Sequence, residues 1–368
     1  MKHTLQKRNP ALDLTRCLAF VFVVTTHFFR FSEFNSGPIR GSGIFFMLMP
    51  RTLAITCVPL FLILSGYLMH DRRISRRYYG KLGRTLMIYL LASVACAVFR
   101  NLSGTDPLTF QQTVRGILDF TAAPYSWYIE MYIGLFLLIP FLNVLYQNLE
   151  SKKHKQLLLG VLLFSTALPS IGNIWCFLEP EWWLDPTLPM ALYKLVPQWW
   201  ENLYPITYYY IGCYLREYPL KIKPPVQLGL AAAVTLISGS YCFYRSYNTY
   251  FIFGLWQDNG SAAVVCLSVL VFSLLSGLSF ESAPGTVKRW LARLSDWSLG
   301  AYLVSWIFDE IFYDMLNAHV PAMTDRMPWF LVLVPLISIC SLALSAVITT
   351  AADIILKAVR SLRARCTR

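Results

Sequence analysis

A chain of 368 residues with 56% hydrophobic side chains, 14% charged ones and a mean hydropathy of +0.49 is too apolar for an ordinary soluble domain, where about 25% of residues are charged. The formal net charge of +12 comes without a basic stripe interleaved with exposed aromatics, which argues against nucleic acid as a partner. A bias of Lys and Arg toward cytoplasmic loops accounts for it instead.

Long apolar blocks without strand-period alternation exclude a β-barrel and predict an all-α integral membrane protein. A helix crosses a bilayer with about 20 largely apolar residues. Ten stretches approach this: 11–31, 44–69, 85–100, 126–146, 157–174, 203–216, 226–244, 261–279, 297–316 and 329–356. The first follows a basic start, like a signal peptide. Arg16 and His27 interrupt its apolar run and no A-x-A-like cleavage site follows, so it reads as a retained helix. A basic loop with Arg72, Arg73, Arg76 and Arg77 separates the second span from Lys81, Arg84 and the third. The fourth opens on Trp127 and carries Glu130. The segment from Gly172 to Asn202 holds Trp175, Trp182, Trp183, Trp199 and Trp200. An interfacial aromatic belt explains it more simply than an aromatic platform for a carbohydrate. The sixth span is short and crowded with Tyr208, Tyr209 and Tyr210. Asp309, Glu310 and Asp353 fall near span ends and read as interfacial or ion-paired.

With the amino terminus inside, 23 of the 32 Lys and Arg fall in inner segments and eight in outer ones. An even number of spans preserves that alternation, so both termini are expected in the cytoplasm. The whole chain, 1–368, reads as one transmembrane domain with no appended soluble domain and no internal repeat of the transporter kind. Nine cysteines stand singly, most within apolar spans, with no CxxC and no histidine at ligand spacing. Neither a disulfide framework nor a metal site is expected.

Ionisable groups inside spans are costly and are functional candidates by default. The first span holds Asp13, Arg16 and His27. Asp13 and Arg16 are three apart and can pair. His27 follows Arg16 by eleven residues, so all three share one helix face, with Arg16 and His27 separated by ~16 Å along the axis. Arg16 offers a fixed, always-charged fork for phosphate, and a histidine can take a proton from a hydroxyl. A donor with a charged head and a long thin arm, such as a CoA thioester, would span the gap. Glu130 is the clearest mid-span carboxylate, and with Trp127 one turn away it is a candidate to meet a substrate. Ser65 and Gly66 suggest close helix packing, since no nucleophile elbow surrounds the serine.

Asp13-Leu14-Thr15-Arg16, ten further residues and His27 resemble the D-x-x-R-x(10)-H start of the membrane-bound acyltransferase-3 family. Phe61 to Leu68 is similar to its F-x-x-x-S-G-Y stretch. Lys81-Leu82-Gly83-Arg84 stands where the family usually has R-x-x-R, with Lys81 replacing the first arginine. Trp127-Tyr128-Ile129 through Pro140 looks like its tryptophan-led fourth span, and Leu299 to Leu303 like its late G-x-Y-L stretch. Ser305 stands where many relatives have histidine. The matches are colinear over nearly the whole chain, and the likeness is greatest to stand-alone members of the enterobacterial common antigen O-acetyltransferase type.

That resemblance implies a multi-pass protein of the bacterial inner membrane. The acyl donor would be cytoplasmic acetyl-CoA or another short acyl-CoA, a substrate rather than a permanently bound cofactor. The acceptor would be a carbohydrate, often a lipid-linked or cell-envelope glycan. The resemblance also implies that His27 is catalytic, with Arg16, Lys81 and Arg84 serving the donor. A transporter or flippase for a lipid-linked sugar or small solute is the rival reading; it would use His27 and Glu130 as a proton relay.

Overall fold

The computed structural model describes residues 8–185, 187 and 192–366, the side chains of the last four excepted. Lys2, Lys7 and Arg368, part of the charge bias, lie outside that range. The described residues form α1 (Pro10–Phe31), α2 (Gly41–Ala54), α3 (Cys57–Met69), α4 (Arg76–Tyr79), α5 (Leu82–Ser103), α6 (Phe110–Leu118), α7 (Trp127–Gln147) and α8 (Lys152–Thr166). There follow α9 (Pro169–Gly172), α10 (Pro180–Leu184), α11 (Tyr204–Glu217), α12 (Pro224–Arg245), α13 (Ala262–Ser276), α14 (Gly285–His319), α15 (Met323–Arg326) and α16 (Phe330–Cys366).

Local chemistry sets many of the boundaries. The Asn9 side chain accepts the Ala11 amide at 3.0 Å and Pro10 occupies the first turn, which starts α1. The expected span 44–69 is two helices broken at Ile55 and Thr56. Pro59 has no amide hydrogen, and its ring would strike the carbonyl four residues back. Thr56 Oγ1 donates to the Leu53 carbonyl at 2.7 Å, satisfying one carbonyl at the break. Gly104, at φ +74°, ends α5 in the left-handed conformation.

Seven stretches are long and apolar enough to cross a bilayer: Pro10–Phe31, Gly41–Met69, Arg76–Ser103, Trp127–Gln147, Pro224–Arg245, Leu255–Ser276 and Met323–Leu362. They make this an all-helical membrane protein among the described residues. The other three expected spans fall on helices of a different kind. The stretch 157–174 divides into α8, of 15 residues, and the single turn α9. The stretch 203–216 is α11, of 14 residues, about 21 Å long at a rise of 1.5 Å per residue. The stretch 297–316 lies within α14, which has 35 residues but carries Asp309, Glu310 and Asp314 in the half that the expected span covers.

Helix α1 packs against α2, α3, α13, α14 and α16, and Ala19, Val24, Phe28 and Phe29 of its interior are fully buried or nearly so. Helices α3 and α11 cross at Gly66 and Gly212. A β-carbon on Gly66 would sit 1.9 Å from the Tyr209 carbonyl oxygen, and one on Gly212 2.1 Å from that of Ile63. Only hydrogen fits at either point. In the tryptophan-rich segment Trp182 is fully buried and lies beneath the Arg245 guanidinium, 4.9 Å from its ring centre. Trp175 stacks on Trp183 at 5.7 Å. These rings pack against one another, while Trp199 and Trp200 are exposed.

Candidate active site

His27 lies one turn before the end of α1, within reach of α14. Its Nδ1 is 3.0 Å from Asp309 Oδ2, and Asp309 is fully buried. The Tyr125 hydroxyl donates to the same oxygen at 2.6 Å. Its ring covers the imidazole with centroids 4.0 Å apart. The Tyr302 hydroxyl in turn donates to the Tyr125 carbonyl. An ionised carboxylate only accepts hydrogen bonds, so Asp309 fixes the His27 proton on Nδ1 and leaves the Nε2 lone pair available. The other carboxylate oxygen, Oδ1, is buried without a protein partner, as is the nearby Tyr313 hydroxyl.

Asp309, expected as an interfacial or ion-paired acid, is not interfacial: it sits in the protein interior, paired with His27 and two turns along α14 from Tyr302. The signal lay in the apolar run 299–313, where Asp309 and Glu310 interrupt the apolar residues and a carboxylate facing the bundle suggests function. Tyr125 lies in the turn before α7 and offers no such pattern. Ser305 is buried, and its hydroxyl donates to the Tyr302 carbonyl at 3.0 Å, a helix-internal bond.

A cavity of about 240 Å³ runs beside α1, lined by Arg16, Val23, Phe61, Ser65, Tyr128, Tyr132 and Tyr302 among others. Along α1 the lining extends from Arg16 to Val23, about 10 Å, and His27 is one turn beyond. Tyr302 belongs both to the cavity wall and to the hydrogen-bond chain leading to His27. The walls are largely apolar, with a guanidinium at one end and the histidine beyond the other.

Asp13 and Arg16 do come within 4.0 Å, but the principal partner of Asp13 is Arg8, which grips both carboxylate oxygens at 2.7 and 2.9 Å. That hydrogen bond raises the Arg8 guanidinium above its ordinary value, against a smaller opposing effect of burial. Arg8 also donates to the Ala292 carbonyl at 2.7 Å. Arg16 donates to Ser295 Oγ at 2.7 Å and lines the cavity. Asp13 is thus occupied by Arg8, and Arg16 faces the cavity.

The remaining sequence candidates are spread around this core. Thr85 of α5 lines the cavity; Arg84 precedes it on that helix, and Lys81 is the residue before the helix begins. Lys81 is exposed, while Arg84 makes a two-pronged pair with Asp353 at 2.8 and 3.1 Å. Trp127 and Glu130 are exposed in the first turn of α7, and neither lines the cavity. The expected mid-span position of Glu130 is therefore corrected to a helix start. Tyr128 and Tyr132 face the cavity in their stead. Among the described residues no group of three or more His, Cys, Asp or Glu is placed to hold a metal ion.

No curated protein and no solved structure matches the chain significantly. A family model for acyltransferase domains matches residues 9–350, a range that includes Arg16, His27, Tyr125 and Asp309. An orienting acid, a histidine with a free nitrogen and an arginine-ended cavity thus stand in a chain that belongs to the membrane acyltransferase-3 family.

Proposed function

We propose that this acyltransferase moves an acetyl or other short acyl group from cytoplasmic acyl-CoA to a carbohydrate hydroxyl, on a cell-envelope glycan or its lipid-linked precursor. The observation that carries this reading is the His27–Asp309–Tyr125 arrangement one turn beyond a cavity that begins at Arg16. In this reading both chain termini face the cytoplasm and the protein sits in the bacterial inner membrane. Arg16 then attracts phosphate from the side where CoA is available, with Lys81 supplying further positive charge. Arg84 is held by Asp353 and contributes less directly.

The narrow, largely apolar cavity suits a pantetheine arm and excludes water from the thioester. His27 Nε2 takes the proton of the acceptor hydroxyl as its oxygen bonds to the thioester carbonyl carbon. Asp309 stabilises the imidazolium that forms. The tetrahedral intermediate collapses, the C–S bond breaks, and the proton on His27 passes to the leaving thiolate. The products are an ester and CoA with its thiol. General acid–base catalysis of this kind contributes about 10²- to 10⁴-fold.

The test is release of free CoA from acetyl-CoA by purified protein, with and without an extract of lipid-linked glycans, for wild type and His27→Ala. Release that requires both His27 and the glycan is expected. Activity retained in His27→Ala would refute the assignment, and gradient-driven uptake without thioester consumption would favour a transporter.

A further inference from the structure

A second cavity, of about 190 Å³, lies where α8 ends and α11 and α13 begin. Its lining includes Glu201, Asn202, Tyr204, Asp258 and Asn259 and contains no lysine or arginine. The hydroxyls around it are engaged: Ser170 accepts the Ala262 amide at 2.8 Å, and Thr166 pairs with Thr207 at 3.1 Å. Glu201 Oε2 is buried with no protein hydrogen-bond partner. The two carboxylates lie in each other's field. The pocket therefore offers free acceptors and excess negative charge.

Its position relative to the first cavity gives this chemistry a use. Helix α11 runs parallel to α3. Tyr204, at its start, lies within electrostatic range of Cys57; Tyr209, farther along, donates to the Met69 carbonyl at 3.2 Å. Tyr204 is also within range of Tyr128 and Tyr302, which wall the Arg16 cavity. Cys57 approaches the Thr26 hydroxyl, next to His27 in the chain. Tyr204 of the second cavity thus lies in the field of the tyrosines that wall the first.

We infer that the second cavity binds the acyl acceptor and selects a polyhydroxyl ring that bears no negative charge. The inference rests on the acyltransferase reading for the word acceptor. Carboxylates that only accept match the hydroxyl donors of such a ring. A ligand phosphate or carboxylate would add a third negative charge to a partly desolvated site with no cation lining it. A site built to bond particular donors discriminates strongly, because a wrong ligand leaves its polar groups unpaired.

The test is saturation-transfer NMR on the full-length protein in detergent, with methyl glucoside and methyl glucuronide as probes. Wild type should saturate methyl glucoside at least tenfold more strongly than the glucuronide. The paired substitutions Glu201→Gln and Asp258→Asn should bring the two probes within about threefold of each other. Glu201→Lys should reverse the preference, a gain that a misfolded protein cannot imitate. Equal binding of both probes to wild type, or an unchanged preference in Glu201→Lys, would overturn the inference. CoA release measured on the same wild-type preparation tests the acyltransferase reading separately: release without glucoside selectivity removes this site alone, and selectivity without release removes the reaction.

Discussion

His27 Nδ1 and Asp309 Oδ2 are 3.0 Å apart although 282 residues separate them in the chain. The bond joins the first helix to the fourteenth and sets which imidazole nitrogen is free. Asp309→Asn keeps the side-chain shape but can present a donor to Nδ1, which favours the wrong tautomer. Its kcat should fall on the order of 10³-fold, with a far smaller change in KM for acyl-CoA. Steady-state CoA release measures both; an unaltered kcat would rule out an orienting role for Asp309.

Tyr125 acts on the same carboxylate oxygen as His27 and covers the imidazole ring. Tyr125→Phe removes only the hydroxyl, so kcat should fall about tenfold, the equivalent of about 1.4 kcal/mol. Tyr125→Ala removes the covering ring as well and should cost more. Comparing both variants at matched thermal stability separates positioning of the dyad from general packing.

Arg16 should govern donor affinity. Arg16→Ala is expected to raise KM for acetyl-CoA on the order of tenfold, and Arg16→Lys to recover part of it, since an ammonium keeps the charge but loses the planar fork. Trp127→Ala and Glu130→Gln should leave kcat within about twofold of wild type, as exposed substitutions usually have small effects. Titration of acetyl-CoA in the release assay tests all four.

Gly66→Ala should destabilise the protein without touching the site. The added carbon would fall 1.9 Å from the Tyr209 carbonyl oxygen and 2.8 Å from its carbon, both backbone atoms. Forcing α3 and α11 apart should cost about 1–3 kcal/mol, read as a lower midpoint of thermal unfolding in detergent. An unchanged midpoint would show that the crossing yields freely.

Much of this architecture could be read from the residues. Apolar blocks announced the membrane helices, and Arg16 and His27 drew attention to α1, which the structure places beside the candidate site. The limits have physical causes. Pro59 breaks an apolar run without making it less apolar, so hydropathy alone does not reveal the interruption at Ile55. Helix α14 mixes charges with core residues, so its carboxylates looked interfacial until packing drew Asp309 inward. Glu130 failed in the opposite sense: it belongs to an apolar stretch but sits in a helix's first exposed turn. Tyr125 entered the site through a turn, where periodicity says nothing.

Helices α1 and α14 are fastened at two levels. Arg8 and Arg16 tie α1 to Ala292 and Ser295 near one end, and His27 ties it to Asp309 at the other. Sliding one helix past the other by a single turn, about 5.4 Å, would break every one of these bonds together. Anchors at both ends thus hold Arg16 and His27 in one register against α14.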